Sequence, residues 1–386
     1  FAPFALPGER VAGRLHDGRL EAPRILRPSP DRATPPCPAF GDCGGCALMH
    51  GSDAFAAGWK RDRIAQALAA RGLQAEIAET AVSPPASRRR AALSARRTRG
   101  GVALGFHARR AGRIVGAEAC RVLDPRLTAA LAPLAAAAGL AASRKGELRL
   151  AALATEDGLD VDLSGASPRL DGGALAGLAQ VAAEAGWARL TLNAEPLAAA
   201  RPPRLRFGRA RMTLPPAGFA QATQAGEAAL VAAVRGATRG ARRVADLFCG
   251  AGTFALPLAE TAEVHAVEGD GAHLEALTSG WRGASGGLRR VTTEARDLFR
   301  RPLRPDELSG FDAVVFDPPR AGARAQAEAL AASDVPRVAA VSCNPETFAR
   351  DARMLVDGGY ALLGVLPVDQ FRWSPHVELA AAFARR

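Results

Sequence analysis

Lysine is almost absent from this 386-residue chain: Lys60 and Lys145 stand alone among 50 basic residues, against 39 acidic ones. The positive charge is therefore arginine, and a formal net charge of +11 with a pI near 10.6 favours a polyanionic partner such as nucleic acid. Long apolar runs are also lacking, which excludes a membrane-spanning helix of the usual length. The first residues show no basic stretch ahead of an apolar one, so no secretory leader is read; a cytoplasmic chain with no membrane partner is expected. Six cysteines are too few for a secreted disulfide framework. Three of them, Cys37, Cys43 and Cys46, crowd together, which points to a metal or a cluster. No internal repeat is found. What is present in quantity is apolar side chain, 48% of residues, enough for buried cores and against disorder.

A chain of this length exceeds what one core usually organises, so more than one domain is expected. Residues 1–35 are rich in Pro, Gly and Arg and too short for an independent domain. Residues 36–205 hold the cysteine cluster, a helix expected over Ala54 to Arg71 and stopped by Gly72, and short strands in pairs. Ala91 to Thr98 and Val102 to Ala108 flank Gly100-Gly101, while Leu148 to Leu153 and Leu159 to Leu163 flank Glu156-Asp157-Gly158, a pattern of α+β type. In residues 206–386 the runs Arg243 to Phe248, Val264 to Glu268, Ala313 to Phe316 and Val338 to Ser342 alternate with helix-length segments. That alternation predicts an α/β fold with a largely parallel, doubly wound Rossmann-like sheet.

Three motifs fall at the ends of those strands. Asp246-Leu-Phe-Cys-Gly-Ala-Gly252 runs from strand through glycines toward a helix, so Gly250 and Gly252 let backbone approach a nucleotide-like ligand. Glu268, 22 residues after Asp246, ends the next strand, where a carboxylate grips ribose hydroxyls. A third glycine at dinucleotide spacing is missing, which favours an adenosyl ligand such as S-adenosylmethionine over NAD. Asp297 follows the third strand, either as an acceptor for an adenine amino group or as a solvated loop carboxylate. Asp317-Pro-Pro-Arg320 and Ser342-Cys-Asn-Pro345 end the next two buried runs, so Asp317 and Cys343 are expected to open onto one crevice.

A cysteine there suits one chemistry in particular. Carbon 5 of uracil is too weak a nucleophile to attack a methyl sulfonium; a thiolate adding at carbon 6 pushes electron density onto it. A base must then remove the carbon 5 proton, and Glu378 in Ser374-Pro-His-Val-Glu378 is the candidate. Spacing alone would make it an ordinary surface glutamate.

These motifs, with Pro28-Ser-Pro-Asp-Arg32 and the cysteine cluster, occur in one order along the chain and resemble the iron–sulfur branch of the bacterial uracil-5-methyltransferases that act on 23S ribosomal RNA. The resemblance implies a class I methyltransferase domain, Cys343 as nucleophile, Glu378 as base, and Gln221, Glu268 and Asp317 as ligand contacts. Two departures stand out. Thr223 replaces the asparagine of the family's Gln-x-Asn, and Leu277-Thr-Ser-Gly-Trp281 replaces an asparagine-rich segment on the adenine side. The family's N-terminal TRAM barrel is represented by its last third, so residues 1–35 are expected to be a partial TRAM/OB-like segment. A monomer acting on 23S rRNA is the expected assembly.

Cys37, Cys43 and Cys46 form a C-x5-C-x2-C loop and need a fourth ligand, for which Cys120 is the natural choice. Four thiolates serve zinc or an iron–sulfur cluster; the resemblance implies [4Fe-4S]. Arg88, Arg89, Arg90, Arg96, Arg97, Arg99, Arg109, Arg110 and Arg113 lie in a stretch without acidic residues, expected to present a phosphate-binding face. Two other readings remain at this stage: an amino-group methyltransferase using Asp-Pro-Pro-Arg, and a non-catalytic RNA-binding cluster protein.

Overall fold

The computed structural model describes residues 2–143, 145–167, 170–284 and 286–386. Its largest sheet has eight strands in the order Val291–Ala295, Glu263–Glu268, Arg243–Leu247, Ala313–Phe316, Arg337–Ser342, Glu378–Arg385, Tyr360–Asp369, Ala81–Val82. The first five run parallel, and Glu378–Arg385 runs antiparallel beside Arg337–Ser342. The expected strands are present within a residue or so at each end. Their near-continuous burial explains the continuous apolar runs, because helices cover both faces. Strand order reverses between Arg243–Leu247 and Ala313–Phe316. Such a switch point opens a crevice beyond the carboxyl ends of the strands.

A second sheet of seven strands lies in the middle of the chain: Glu195–Ala199, Arg189–Leu192, Leu159–Ser164, Leu148–Ala154, Arg90–Thr98, Gly101–His107, Ile114–Gly116. It is antiparallel except where Leu159–Ser164 and Arg189–Leu192 pair. Helices Leu131–Ala141 and Gly172–Glu184 share its apolar core with Leu93, Leu150 and Leu163. The hairpin Arg204–Phe207/Ala210–Thr213 packs Phe207 and Met212 against Leu153 on one side and Leu256 on the other, tying this body to the larger sheet. Near the N-terminus, Arg10–His16 and Arg19–Arg27 form a two-stranded ribbon with Leu15 and Leu26 exposed.

Helix Asp53–Ala69, capped by the Ser52 hydroxyl accepting from Phe55 N at 3.1 Å, sits inside residues 36–205 yet packs on the C-terminal sheet. Its buried Ile64 and Leu68 join Phe348, Leu379 and Phe383 in one cluster, and strand Ala81–Val82 extends that sheet at its edge. The physical reason is that the helix's apolar stripe finds cover on helix Pro345–Asp357, far away in sequence.

Candidate active site

The carboxyl edge of the large sheet bounds a cleft of about 810 Å³ at the switch point. Strand pairing brings the chemistry together. Ser342 is the register partner of Leu379, so in an antiparallel pair the next residues, Cys343 and Glu378, face each other across the ladder. Asp317 follows Phe316, whose partner is Ala340 on the same neighbouring strand. Cys343, Glu378 and Asp317 all line the cleft, with Gln221, Gly250, Glu268 and Asp297.

Two expected residues do not. Asp246 lies beneath the cleft floor, fully buried, and Gly252 packs away from it. Gly252 has φ +94°, and a β-carbon there would lie 3.0 Å from the Leu277 side chain, so its glycine serves the turn and helix packing. Neither Asp246 oxygen has a hydrogen-bond partner of normal geometry; burial first, then Asp317, push its carboxyl well above the usual range, the Ala255 amide nearby opposes, and Glu268 adds to the rise.

Glu268 shapes the glycine loop directly. Its Oε2 accepts from Gly250 N at 2.9 Å, and its Oε1 from Gly269 N at 2.7 Å and Asp270 N at 3.1 Å. Asp297 is exposed at the rim, where its Oδ1 accepts from Phe299 N at 3.0 Å, so turn capping occupies part of its carboxylate. Phe248 and Phe299 lie beside it with ring centroids 5.4 Å apart, two flat apolar faces suited to a purine.

Burial is uneven at the reacting end, where Cys343 and Asp317 are half-buried. Glu378 is 5% exposed, contrary to its surface appearance in the sequence. Burial raises its pKa, Asp317 adds to the rise, and the Gln370 amide and Arg90 favour its charge. Burial likewise raises Asp317. The Cys343 thiol is pushed up to about 11, first by burial, then by Glu378 and Asp317, with Arg320 opposing. Gln221 is held from below: its Oε1 accepts from Gln370 Nε2 at 2.6 Å, and Gln370 Oε1 accepts from Ala222 N at 2.7 Å.

Several cleft residues were not singled out from the sequence. Gln370, Phe219, Phe371 and His376 line the cleft; Arg90, expected on a phosphate-binding face, lines it too, with its guanidinium 4.5 Å from the centroid of the Phe219 ring. The signal was partial: Arg320 completes the Asp-Pro-Pro motif, and His376 sits two residues before Glu378.

The arginine stretch does not form one phosphate-facing surface. Arg89 is buried, with Nη2 2.5 Å from Glu227 Oε2 and Nε donating to Gln221 O at 3.1 Å. Arg88 lies over Phe371, and Arg90 enters the cleft. Arg96 pairs with Glu147 at 2.6 Å, Arg97 caps Ala142 O at 2.9 Å, and Arg113 meets Asp42. Arg109 donates to Cys46 O at 2.8 Å. Arg99 and Arg110 are exposed.

Cys37, Cys43, Cys46 and Cys120 line a separate cavity of about 260 Å³, walled also by Met49, Phe106 and Leu123. Burial pushes the Cys46 thiol up to about 12, and Cys120, Cys43 and Cys37 add to the rise. Burial first, then Cys120, Cys37 and Asp42, raise Cys43, with the Gly45 amide opposing. Among the described residues, however, no three His, Cys, Asp or Glu side chains converge on a single metal position.

Residues 285–386, which contain Asp317, Cys343 and Glu378, match the family model of tRNA (uracil-5-)-methyltransferase. An RNA methyltransferase of Caulobacter vibrioides is 46% identical over 392 residues, covering 100% of this chain and 94% of its own. The 23S rRNA (uracil(1939)-C(5))-methyltransferase RlmD of Chromohalobacter salexigens is 35% identical over 98% of this chain and 83% of its own. Among solved structures, the Pyrococcus abyssi tRNA (uracil-54, C5)-methyltransferase bound to S-adenosyl-L-homocysteine shares the fold, with TM-score 0.76 at 21% identity, over 99% of this chain and 94% of that one. With a sequence match over nearly its whole length and the motif residues gathered at one cleft, the chain belongs to the RNA 5-methyluridine methyltransferase family.

Proposed function

We propose that this protein transfers a methyl group from S-adenosylmethionine to carbon 5 of one uridine in 23S rRNA, acting as a monomer through a Cys343 adduct. The observation that carries the reading is the cleft in which Cys343 and Glu378 oppose each other across a strand pair, beside Asp317. In this reading Gly250, Glu268 and Asp297 hold the adenosyl moiety, with Asp246 and Gly252 shaping the turn beneath. Glu268 exchanges backbone partners for ribose hydroxyls, while Phe248 and Phe299 flank the adenine.

Each step then has an owner. Cys343 sulfur adds to carbon 6, and the displaced electron pair reaches carbon 5, which takes the methyl group as the sulfonium becomes a thioether. Asp317, whose pKa burial raises to about 7, offers an O–H in its protonated form to the uracil carbonyl where charge collects. Glu378 takes the carbon 5 proton; the electron pair re-forms the 5,6 double bond and expels the Cys343 thiolate. The raised Glu378 pKa makes it a stronger base than an ordinary carboxylate. In the same reading Gln221, held by Gln370, meets the uracil edge and Phe219 stacks on its face.

The cysteine cavity fits a [4Fe-4S] cluster in its donor set: four thiols line one apolar pocket, Cys46 feels Cys120, Cys43 and Cys37, and Cys43 feels Cys120 and Cys37. The cluster would be held by Cys37, Cys43, Cys46 and Cys120 and supply a cross-link between the N-terminal loop and the middle sheet.

RNA carrying 5-fluorouridine at the target tests the chemistry, since fluorine at carbon 5 is not removed as a proton. A stable protein–RNA adduct is expected with the native chain and none with Cys343→Ala. An adduct that persists in Cys343→Ala refutes the proposed nucleophile.

A further inference from the structure

The catalytic cleft and the cysteine cavity share a wall. Phe371 and His376 line both. Their rings meet edge-on with centroids 6.1 Å apart, and Arg88, which faces the cysteine cavity, lies 5.6 Å over the Phe371 ring. This segment follows strand Tyr360–Asp369 but is fastened by the cysteine half of the chain. Ala47 N and Leu48 N, just past Cys46, both donate to Trp373 O at 2.8 Å. Lys60, 0% exposed, pairs with Asp369 Oδ1 at 2.5 Å and donates to Phe371 O at 3.1 Å. Arg63 donates to Pro375 O at 2.9 Å.

Trp373 has φ +60°, a left-handed conformation that a bulky residue keeps only where its surroundings impose it. Those surroundings include the two amides from the cysteine loop. On the opposite side, Gln370 begins the segment and holds Gln221 and Ala222. A displacement of the cysteine loop therefore reaches the reacting end of the cleft through one short run of backbone. The adenosyl end is built instead on loops after Arg243–Leu247, Glu263–Glu268 and Val291–Ala295, at the other side of the strand order.

We infer that residues 370–376 form a partition whose position is set by the cysteine loop, so that closure of the loop around its cluster positions Phe371 and His376 for the target uridine and leaves S-adenosylmethionine binding independent. The inference rests on the reading of the two cavities as uridine cleft and cluster site. Phe371 and His376 are positioning residues in this scheme.

Two variants of the full-length protein test it. Cys120→Ala weakens the cysteine cavity from the middle-sheet side without touching the partition. It is expected to raise the KM for RNA about tenfold, within the usual range of coupling between sites, with calorimetric S-adenosylmethionine affinity held within about twofold. Phe371→Ala approaches from the partition. Site-resolved maleimide labelling is expected to speed up at Cys343 and at Cys37, Cys43, Cys46 and Cys120 together, and Phe371→Tyr to restore both rates. Labelling that changes on one side of the partition alone overturns the inference, as does an S-adenosylmethionine affinity that falls as far as RNA affinity. If no 5-fluorouridine adduct forms while the two labelling rates still move together, the catalytic reading falls and the partition stands.

Discussion

Cys343 is held as a thiol in the free protein, with a pKa near 11 that burial, Glu378 and Asp317 impose and Arg320 opposes. Removing the Glu378 charge lowers that pKa, and below the pKa each unit gained is a tenfold rise in thiolate. Glu378→Gln is therefore expected to speed iodoacetamide alkylation of Cys343 at pH 8 by roughly threefold to tenfold while abolishing turnover. Arg320→Gln is expected to slow the same alkylation. Mass spectrometry of the Cys343 peptide reads both, and a slower reaction in Glu378→Gln would mean that the carboxylate activates the thiol instead of restraining it. The pH dependence is bell-shaped. Glu378 and Cys343 act deprotonated while Asp317 acts protonated, and burial raises Asp317 to about 7 and Glu378 to about 8, so turnover is expected to peak between those values and fall on either side.

Strand Arg90–Thr98 and the residues leading into it show what a charge run conceals. Side chains in extended backbone alternate between two faces, so Arg88, Arg89 and Arg90 cannot share one surface. Arg89 turns into the protein to meet Glu227, whose side chain is as buried as its own. Breaking such a pair leaves an uncompensated charge at about 3–5 kcal/mol. Arg89→Met is thus expected to lower thermal stability markedly, and a further Glu227→Leu to restore much of it; an Arg89→Met protein of native melting temperature that merely binds RNA less would return Arg89 to the surface. The sequence misled here because nine arginines were counted as one patch without the period of two. Strands of the large sheet were legible for the opposite reason: buried on both faces, they are continuous apolar runs ending in Asp-Pro-Pro or Ser-Cys-Asn. Gln370 left no trace, since its partners Gln221 and Ala222 lie far back in the chain. The docking of Ile64 and Leu68 on the C-terminal sheet was equally hidden, because a helix's apolar stripe does not name its partner. Glu378 was found through family resemblance; the Ser342–Leu379 pairing that makes it catalytic in the proposed mechanism is a tertiary fact.

At the scale of the whole molecule, the net charge of +11 must be divided between arginines spent on internal pairs and those left for phosphate. Arg96, Arg97, Arg109 and Arg113 hold carboxylates or carbonyls of the middle body and cysteine loop, whereas Arg99 and Arg110 point outward near the tips of the same sheet. The N-terminal ribbon exposes Arg10, Arg14, Arg24 and Arg27. Each phosphate neutralised contributes roughly 0.7–0.9 to the slope of log affinity against log salt. If Arg99 and Arg110 each meet a phosphate, the double variant Arg99→Gln/Arg110→Gln lowers that slope by about 1.5, with S-adenosylmethionine affinity unchanged. Filter-binding of target RNA across a salt series measures it. An unchanged slope would move the RNA path off this sheet and onto the ribbon, where Arg14→Gln/Arg24→Gln should then produce the missing decrease.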